Sequence, residues 1–155
     1  MNFHHLIEIN DPLLPLVENL SRTQLWHGLV LRMQQPKLFV PYLDDCQITQ
    51  HTADCFHRTL HYGEVQINDM VTLLPQQQIQ VAVPAQKDIA ASMLTLTIEE
   101  PQPERFFVRF NYDDGTTPQA DSAEAFYDAY RRSAYQEADI DTIKLIRQMA
   151  QAGQL

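Results

Sequence analysis

Residues 121–152 read DSAEAFYDAYRRSAYQEADIDTIKLIRQMAQA, and the reading of this stretch decides the fold. Asp121 or Ser122 stands where an N-cap belongs, Glu124 follows Asp121 at capping-box spacing, and Gly153 supplies a stop. A helix of roughly thirty residues at 1.5 Å each extends about 45 Å. That is long for a chain of 155 residues, so the helix must lie along something broad. Its inward stripe is graded: Tyr127, Tyr130, Ala134 and Ala138 in the first half, then Thr142, Leu145, Ile146 and Met149. Small residues at mid-length leave room for either close contact or open space beneath Tyr130–Ala138, while the far end reads as ordinary core.

The broad partner lies upstream. Phe3 to Asn10 reads as a first strand ended by Asp11-Pro12. Ser21 and Gln24 have capping-box spacing ahead of a helix carrying Leu25, Trp26, Leu29, Val30 and Met33, which stops before Pro36. Leu38 to Val40 is expected to form a second helical turn. From about Asp45 the pattern changes to period-two alternation in about six runs: Cys46–His51, Cys55–Tyr62, Val65–Leu74, Ile79–Pro84, Met93–Glu99 and Phe106–Tyr112. Pro75, Pro101, Pro103 and polar clusters separate them, as in an antiparallel meander. With no repeat and no linker, residues 1–155 are expected to form one α+β domain.

Within the meander, Tyr62-Gly63-Glu64-Val65 fixes a register. A two-residue Gly-Glu loop suits a primed hairpin turn, because glycine supplies the positive φ. Facing Tyr62 with Val65 sets Leu60 against Ile67, Arg58 against Asp69 and Phe56 against Val71. That face is apolar except for Arg58 and Asp69. A buried charge must be paired, so two readings stand: an ion pair near the sheet's edge, or a guanidinium offered to a ligand's carboxylate, phenolate or carbonyl with Asp69 orienting it.

Other groupings carry less. His57 and His61 lie about 13 Å apart along a strand, and His4 and His5 point to opposite faces, so no metal site is expected. Cys46 pairs by register with a residue near Leu60 rather than with Cys55, which leaves two free thiols. Glu137, Asp139 and Asp141 read as a solvated face, with Asp128 in reach of Arg132 and Asp141 in reach of Lys144. Phosphate loops and nucleophile elbows are absent, and no cofactor is expected. A formal charge of -9 argues against nucleic acid and against anionic membrane surfaces. The first ten residues lack a signal-peptide pattern, so the cytoplasm is the expected compartment.

The order strand, helix pair, six strands, long helix is that of the helix-grip fold, a curved antiparallel sheet of about seven strands wrapped around a long C-terminal helix. Phe3–Asn10, Gln24–Arg32 (QLWHGLVLR), Leu96–Pro101, Phe107–Tyr112 and Glu137–Thr142 sharpen this. Together they resemble the AtaL-like family of the START/birch-pollen-allergen (SRPBCC) superfamily, named for similarity to polyketide-synthesis proteins. The resemblance implies a hydrophobic cavity between sheet and C-terminal helix, and either aromatic-polyketide cyclisation or carriage of a flat apolar ligand. It transfers no catalytic residues. The allergens' Gly-rich loop has no counterpart near Thr52-Ala53-Asp54.

Three functions follow as alternatives. The first is binding of a small hydrophobic, aromatic or polyketide-like ligand, with Arg58 and Asp69 among walls of Phe56, Leu60, Tyr62, Ile67, Val71, Phe110 and Tyr112, roofed by Tyr130. The second is a cyclase or aromatase in which Arg58 stabilises an enolate and Asp69 or a tyrosine moves protons. The third is an interaction domain with a collapsed core. The sequence leaves open whether any reaction is catalysed and what the oligomeric state is.

Overall fold

The structure, a computed structural model, describes residues 1–14 and 18–155. Among the described residues there are seven strands: β1 (Asn2–Glu8), β2 (Asp45–Thr52), β3 (Cys55–Tyr62), β4 (Val65–Leu74), β5 (Gln78–Val83), β6 (Ser92–Gln102) and β7 (Arg105–Asp113). They form one antiparallel sheet in the order β1-β7-β6-β5-β4-β3-β2. Helix α1 (Arg22–Gln34) and a 3₁₀ turn (Pro36–Leu38) intervene between β1 and β2, and helix α2 (Ala123–Gln151) ends the chain. This is the helix-grip arrangement. Among the described residues, no helix is long and apolar enough to cross a membrane.

Local chemistry accounts for the boundaries. Ser21 Oγ accepts from the Gln24 amide at 3.0 Å while Gln24 Oε1 accepts from the Ser21 amide at 2.9 Å, a closed capping box. Asp121 has a positive φ of 60° and stands outside α2, so Ser122 is the cap, its Oγ accepting from the Ala125 amide at 3.1 Å. In the β3–β4 hairpin only Gly63 of the two loop residues has positive φ, +58°, the pattern of a II′ turn. The register then matches the expectation pair for pair, from Tyr62↔Val65 to Phe56↔Val71.

Several strand ends shift by one to three residues from expectation, and two differences have a chemical cause. The short helical turn begins at Pro36 rather than Leu38, because proline's fixed φ and missing N–H suit a first helical position. Pro101 falls inside β6 rather than in a connection, next to a register irregularity between Glu99 and Gln102; a bulge is where a strand tolerates a missing donor.

The core joins the sheet's concave face to both helices. Leu25 and Leu29 of α1 and Ile143 and Ile146 of α2 pack with Phe56, Val71, Ile79, Leu96, Val108 and Phe110. Contact between the helices is close: a Cβ placed on Gly28 would meet Ile146 Cγ2 at 2.5 Å. A second, smaller cluster of Val40, Leu43 and Leu60 sits apart, with Tyr62, Ile67 and Cys46 against it. The apolar interior is therefore interrupted, and the polar groups of interest occupy the interruption.

Candidate functional site

Burial falls off along the concave face. Phe56, Val71, Ile79, Leu96 and Phe110 are at most 2% exposed. Further along the same strands, and on the same face, Tyr62, Ile67, Val83, Leu94 and Tyr112 are only partly buried. Side-chain parity is unchanged, so the difference comes from what lies above. At this end a small cavity of about 70 Å³ opens between Val83, Ser92, Leu94 and Tyr112 of the sheet and Arg131 and Tyr135 of α2. A larger hollow of about 520 Å³ beside the start of α2 is a surface recess lined by Thr116, Pro118, Glu124 and Tyr127.

Arg58 and Asp69 face each other across β3 and β4 and are buried at 5% each. The pair is bidentate: Arg58 Nε donates to Asp69 Oδ1 at 2.9 Å and Nη2 to Oδ2 at 2.7 Å. Arg58 Nη1 donates to the Met33 carbonyl at 3.1 Å. Both carboxylate oxygens are thereby engaged, and this guanidinium ties the sheet to the end of α1.

A second guanidinium, that of Arg32, lies close by without such partners. Among the described residues it forms no ion pair or hydrogen bond, and its nearest aromatic contact is the Phe39 ring, 6.0 Å from Cζ to centroid. Its pKa is lowered, first by burial and then by the charge of Arg58, while Asp139, Tyr112 and Tyr62 oppose the shift. The side chain nevertheless keeps partial accessibility. Tyr62, which also feels Arg32, has its phenol pKa raised by burial.

Where β1, β7 and α2 meet stands a hydrogen-bonded trio. Tyr112 Oη donates to Asp139, with distances of 2.9 and 2.8 Å to Oδ1 and Oδ2. His5 Nε2 is 2.8 Å from Asp139 Oδ2, and His5 Nδ1 is buried without a partner among the described residues. Burial pushes the Asp139 carboxyl up to about 6, against the opposing hydrogen bonds from His5 and Tyr112. The Tyr112 phenol is held well above its ordinary range, by burial first and by Asp139 second. Tyr112 stacks on Tyr135 at 4.3 Å between centroids and 4° between planes, and His5 stacks on Phe110 at 5.4 Å. Asp139 can therefore exchange a proton near neutrality inside an aromatic enclosure.

Of the residues expected at the site, Tyr62, Leu60, Ile67, Phe110 and Tyr112 share the concave face with Arg58 and Asp69. Tyr130 does not. It is 73% exposed on the outer side of α2, and Tyr135 takes the roof position. The inward residues of the helix are Asp128, Asp139, Thr142, Ile143 and Ile146, so the stripe in its first half is rotated from the expected Tyr127–Tyr130–Ala134–Ala138. The cause is chemical: Asp139, with partners in Tyr112 and His5, turns inward together with Tyr135, while Phe126, Tyr127 and Tyr130 turn out. Asp139 is thus no part of a solvated face, and Asp128 pairs with Arg131 at 3.3 Å rather than with Arg132. A signal was present for each of the three residues missed. Arg32 is seven residues after Leu25 and three after Leu29, on the buried side of α1, and Asp139 is four before Ile143 and seven before Ile146. His5 has the strand parity of Phe3 and Ile7.

Cys46 pairs with Leu60, and both cysteines are free thiols. No group of three or more His, Cys, Asp or Glu residues able to hold a metal ion occurs among the described residues.

A family model described as Acetylaranotin biosynthesis cluster protein L, or AtaL, matches residues 7–153. No curated protein matches the chain. Among solved structures, the di-domain ARO/CYC StfQ from the steffimycin biosynthetic pathway is similar at 10% identity with a TM-score of 0.69, over 97% of this chain and 51% of that one. The chain therefore spans about half the length of StfQ. The Zhui aromatase/cyclase from Streptomyces sp. R1128 is similar at 12% identity and TM-score 0.66, over 97% and 93% of the two chains. Ara h 8.0201 gives 9% identity and TM-score 0.59, over 94% and 97%. At these identities the likeness establishes the fold.

Proposed function

Because the chain belongs to the AtaL family, within the SRPBCC superfamily, we propose that it binds a small, flat hydrophobic molecule of aromatic or polyketide type between the sheet and the first half of α2. The observation that carries this reading is the partly buried wall of Tyr62, Ile67, Val83, Leu94 and Tyr112 beside a fully closed core on the same face. A chain selected only for stability would close that gap, since apolar area left accessible forgoes about 25 cal/mol per Å². Drug-sized ligands need pockets of about 300–1,000 Å³. The present cavity of about 70 Å³ is far smaller, so entry requires the first half of α2 to lift. Similarity to StfQ and Zhui, both described as aromatase/cyclases, supports the ligand class.

The Tyr112–Asp139–His5 trio favours a second reading, cyclisation of a poly-β-ketone. Asp139 as the carboxylate would accept the proton of a methylene between two carbonyls, leaving the electron pair as an enolate that attacks a second carbonyl carbon.

Native mass spectrometry of the protein from its own source tests the first reading: a co-purifying apolar molecule is expected, and Leu94→Trp should exclude it. A protein that arrives empty and fails to bind naphthalene-type fluorophores refutes pocket binding. Incubation with a poly-β-ketone, with detection of a ring-closed product lost in Asp139→Asn, separates enzyme from carrier.

A further inference from the structure

We propose that His51, His57 and Met70 form a binding site for a copper(I) ion on the convex face of the sheet, the face turned away from both helices. Three neighbouring strands bring them together. His57 stands directly opposite Met70 in the β3–β4 ladder, where facing side chains have Cβ atoms about 4.5–5.5 Å apart. His51 reaches His57 by another route. The β2–β3 register runs pair by pair from Asp45↔His61 to Gln50↔Phe56 and then slips before Thr52↔Cys55. His51 is the extra residue of that bulge, and a bulge re-aims the side chain it carries. Without the slip it would stand opposite Cys55, two residues and about 7 Å of strand away from His57. Instead the two imidazole centroids are 4.2 Å apart with 49° between the ring planes. Gln50 fixes the bulge: its Nε2 donates to the carbonyls of Thr52 and Cys55.

The chemistry of the donors selects the ion. His51, His57 and Met70 are all exposed. Among the described residues the histidines with side-chain hydrogen-bond partners are His4 and His5, so both rings of the pair keep a nitrogen lone pair for a metal. Two rings on one ion at a tetrahedral angle, with metal–nitrogen bonds of about 2 Å, have centroids about 5 Å apart. Coordination therefore asks for a shift of less than about 1 Å from the observed 4.2 Å. Among the described residues no carboxylate or thiol joins the two histidines to make a group of three. A donor set without oxygen does not suit calcium or magnesium, and a set without thiolate or carboxylate falls short of a structural zinc site. Imidazole joined by a thioether suits copper(I). The formal charge of -9 draws cations to the surface.

The test is competition for copper(I), supplied anaerobically with ascorbate, against the chromogenic chelator bicinchoninate at about pH 7.5, where imidazoles are neutral. Both cysteines are free thiols, and Cys55 shares the outward parity of His57, so thiols are the competing source of affinity. Each variant is therefore measured in the wild-type chain and in a Cys46→Ser, Cys55→Ser chain. Both parent chains should retain a single copper ion. His51→Ala, His57→Ala and Met70→Leu should each weaken retention about tenfold or more, with an unchanged far-UV circular dichroism spectrum because all three positions are exposed. Copper that is lost with the cysteines, or kept when either histidine is removed, overturns the site, as does a wild type that takes up none. Retention untouched by Met70→Leu, or zinc(II) bound as tightly as copper(I), overturns the choice of ion. An empty pocket beneath α2 leaves this site unaffected, since the two lie on opposite faces of the sheet.

Discussion

Removal of the Asp69 carboxylate should destabilise the protein far more than it affects ligand binding. In Asp69→Ala, Arg58 loses two of its three short contacts, Nε–Oδ1 at 2.9 Å and Nη2–Oδ2 at 2.7 Å, and keeps only the Met33 carbonyl at 3.1 Å. The guanidinium side chain is 5% exposed, so water cannot replace the lost oxygens without opening the sheet. Breaking such a pair from one side costs about 3–5 kcal/mol, against a typical total of about 5–15 kcal/mol. Replacing both partners by apolar groups, Arg58→Met with Asp69→Leu, removes the stranded charge and should return stability to within about 1 kcal/mol of wild type or above it. Equilibrium urea unfolding followed by Trp26, the only tryptophan and a buried one, measures both variants, with far-UV circular dichroism as the second probe. A loss below about 1 kcal/mol in Asp69→Ala would refute the burial argument. Retained binding of 2-naphthalenemethanol by the double variant is expected; its loss in a folded protein would return the pair to the ligand.

Three further outcomes are expected. The Asp139 carboxyl lies near 6 in the folded protein and near 3.9 when unfolded, so the native state binds the extra proton. Its contribution to stability is complete below about pH 4 and is lost as pH rises through about 6, on the order of 3 kcal/mol for a shift of about two units. Asp139→Asn should flatten that part of the stability–pH curve, leaving His5, Tyr112 and Arg32 as the groups facing it; an unchanged curve would mean the carboxylate is solvated. Gly28→Ala forces a methyl against Ile146 and should cost about 1–3 kcal/mol by overpacking, less about 1 kcal/mol of helix propensity; with Ile146→Ala, which removes all three contacting atoms, the double variant should lose less in urea unfolding than the sum of the two single changes. Hydrogen exchange should be faster for amides 123–135 than for 139–150 and should slow in the former when 2-naphthoate binds; uniform protection along α2 would count against a lifting half-helix.

Which features could be read from the sequence follows from where each kind of information resides. Strand positions and the β3–β4 register were legible because alternation and one Gly-Glu turn fix them locally, and the match from Tyr62↔Val65 to Phe56↔Val71 is complete. The cap at Ser21 was legible for the same reason, and that of α2 was narrowed to Asp121 or Ser122. The rotation of α2 was not. Its first half offers Tyr127, Tyr130 and Ala134 as an apolar stripe, and hydrophobicity alone turns that stripe inward. The actual inward face is set by partners distant in sequence: Tyr112 and His5 for Asp139, and Asp114 for Arg131 at 3.5 Å. The Arg58–Asp69 pairing was legible, but its saturation was not, because the third contact comes from Met33 on another element. Arg32 was passed over because a helix arginine reads as solvated until its surroundings are known.

Helix α2 meets two different floors, and this explains why one rod serves both stability and binding. Its second half is clamped: Ile143 and Ile146 are 3% and 0% exposed, and Gly28 removes the side chain that would hold α1 away. Its first half is held by polar and aromatic contacts, the Tyr112–Tyr135 stack and the Arg131 pair with Asp114. Contacts of the second kind are directional and few, and water can substitute for them as they open, whereas opening the clamp would expose core area that water solvates poorly. Separation of the first half from the sheet is therefore the least costly large motion available to the fold. The groups beneath it are Leu94 and Tyr112, which line the cavity under Tyr135, so the element held by the fewest apolar contacts is the one that stands over the candidate site.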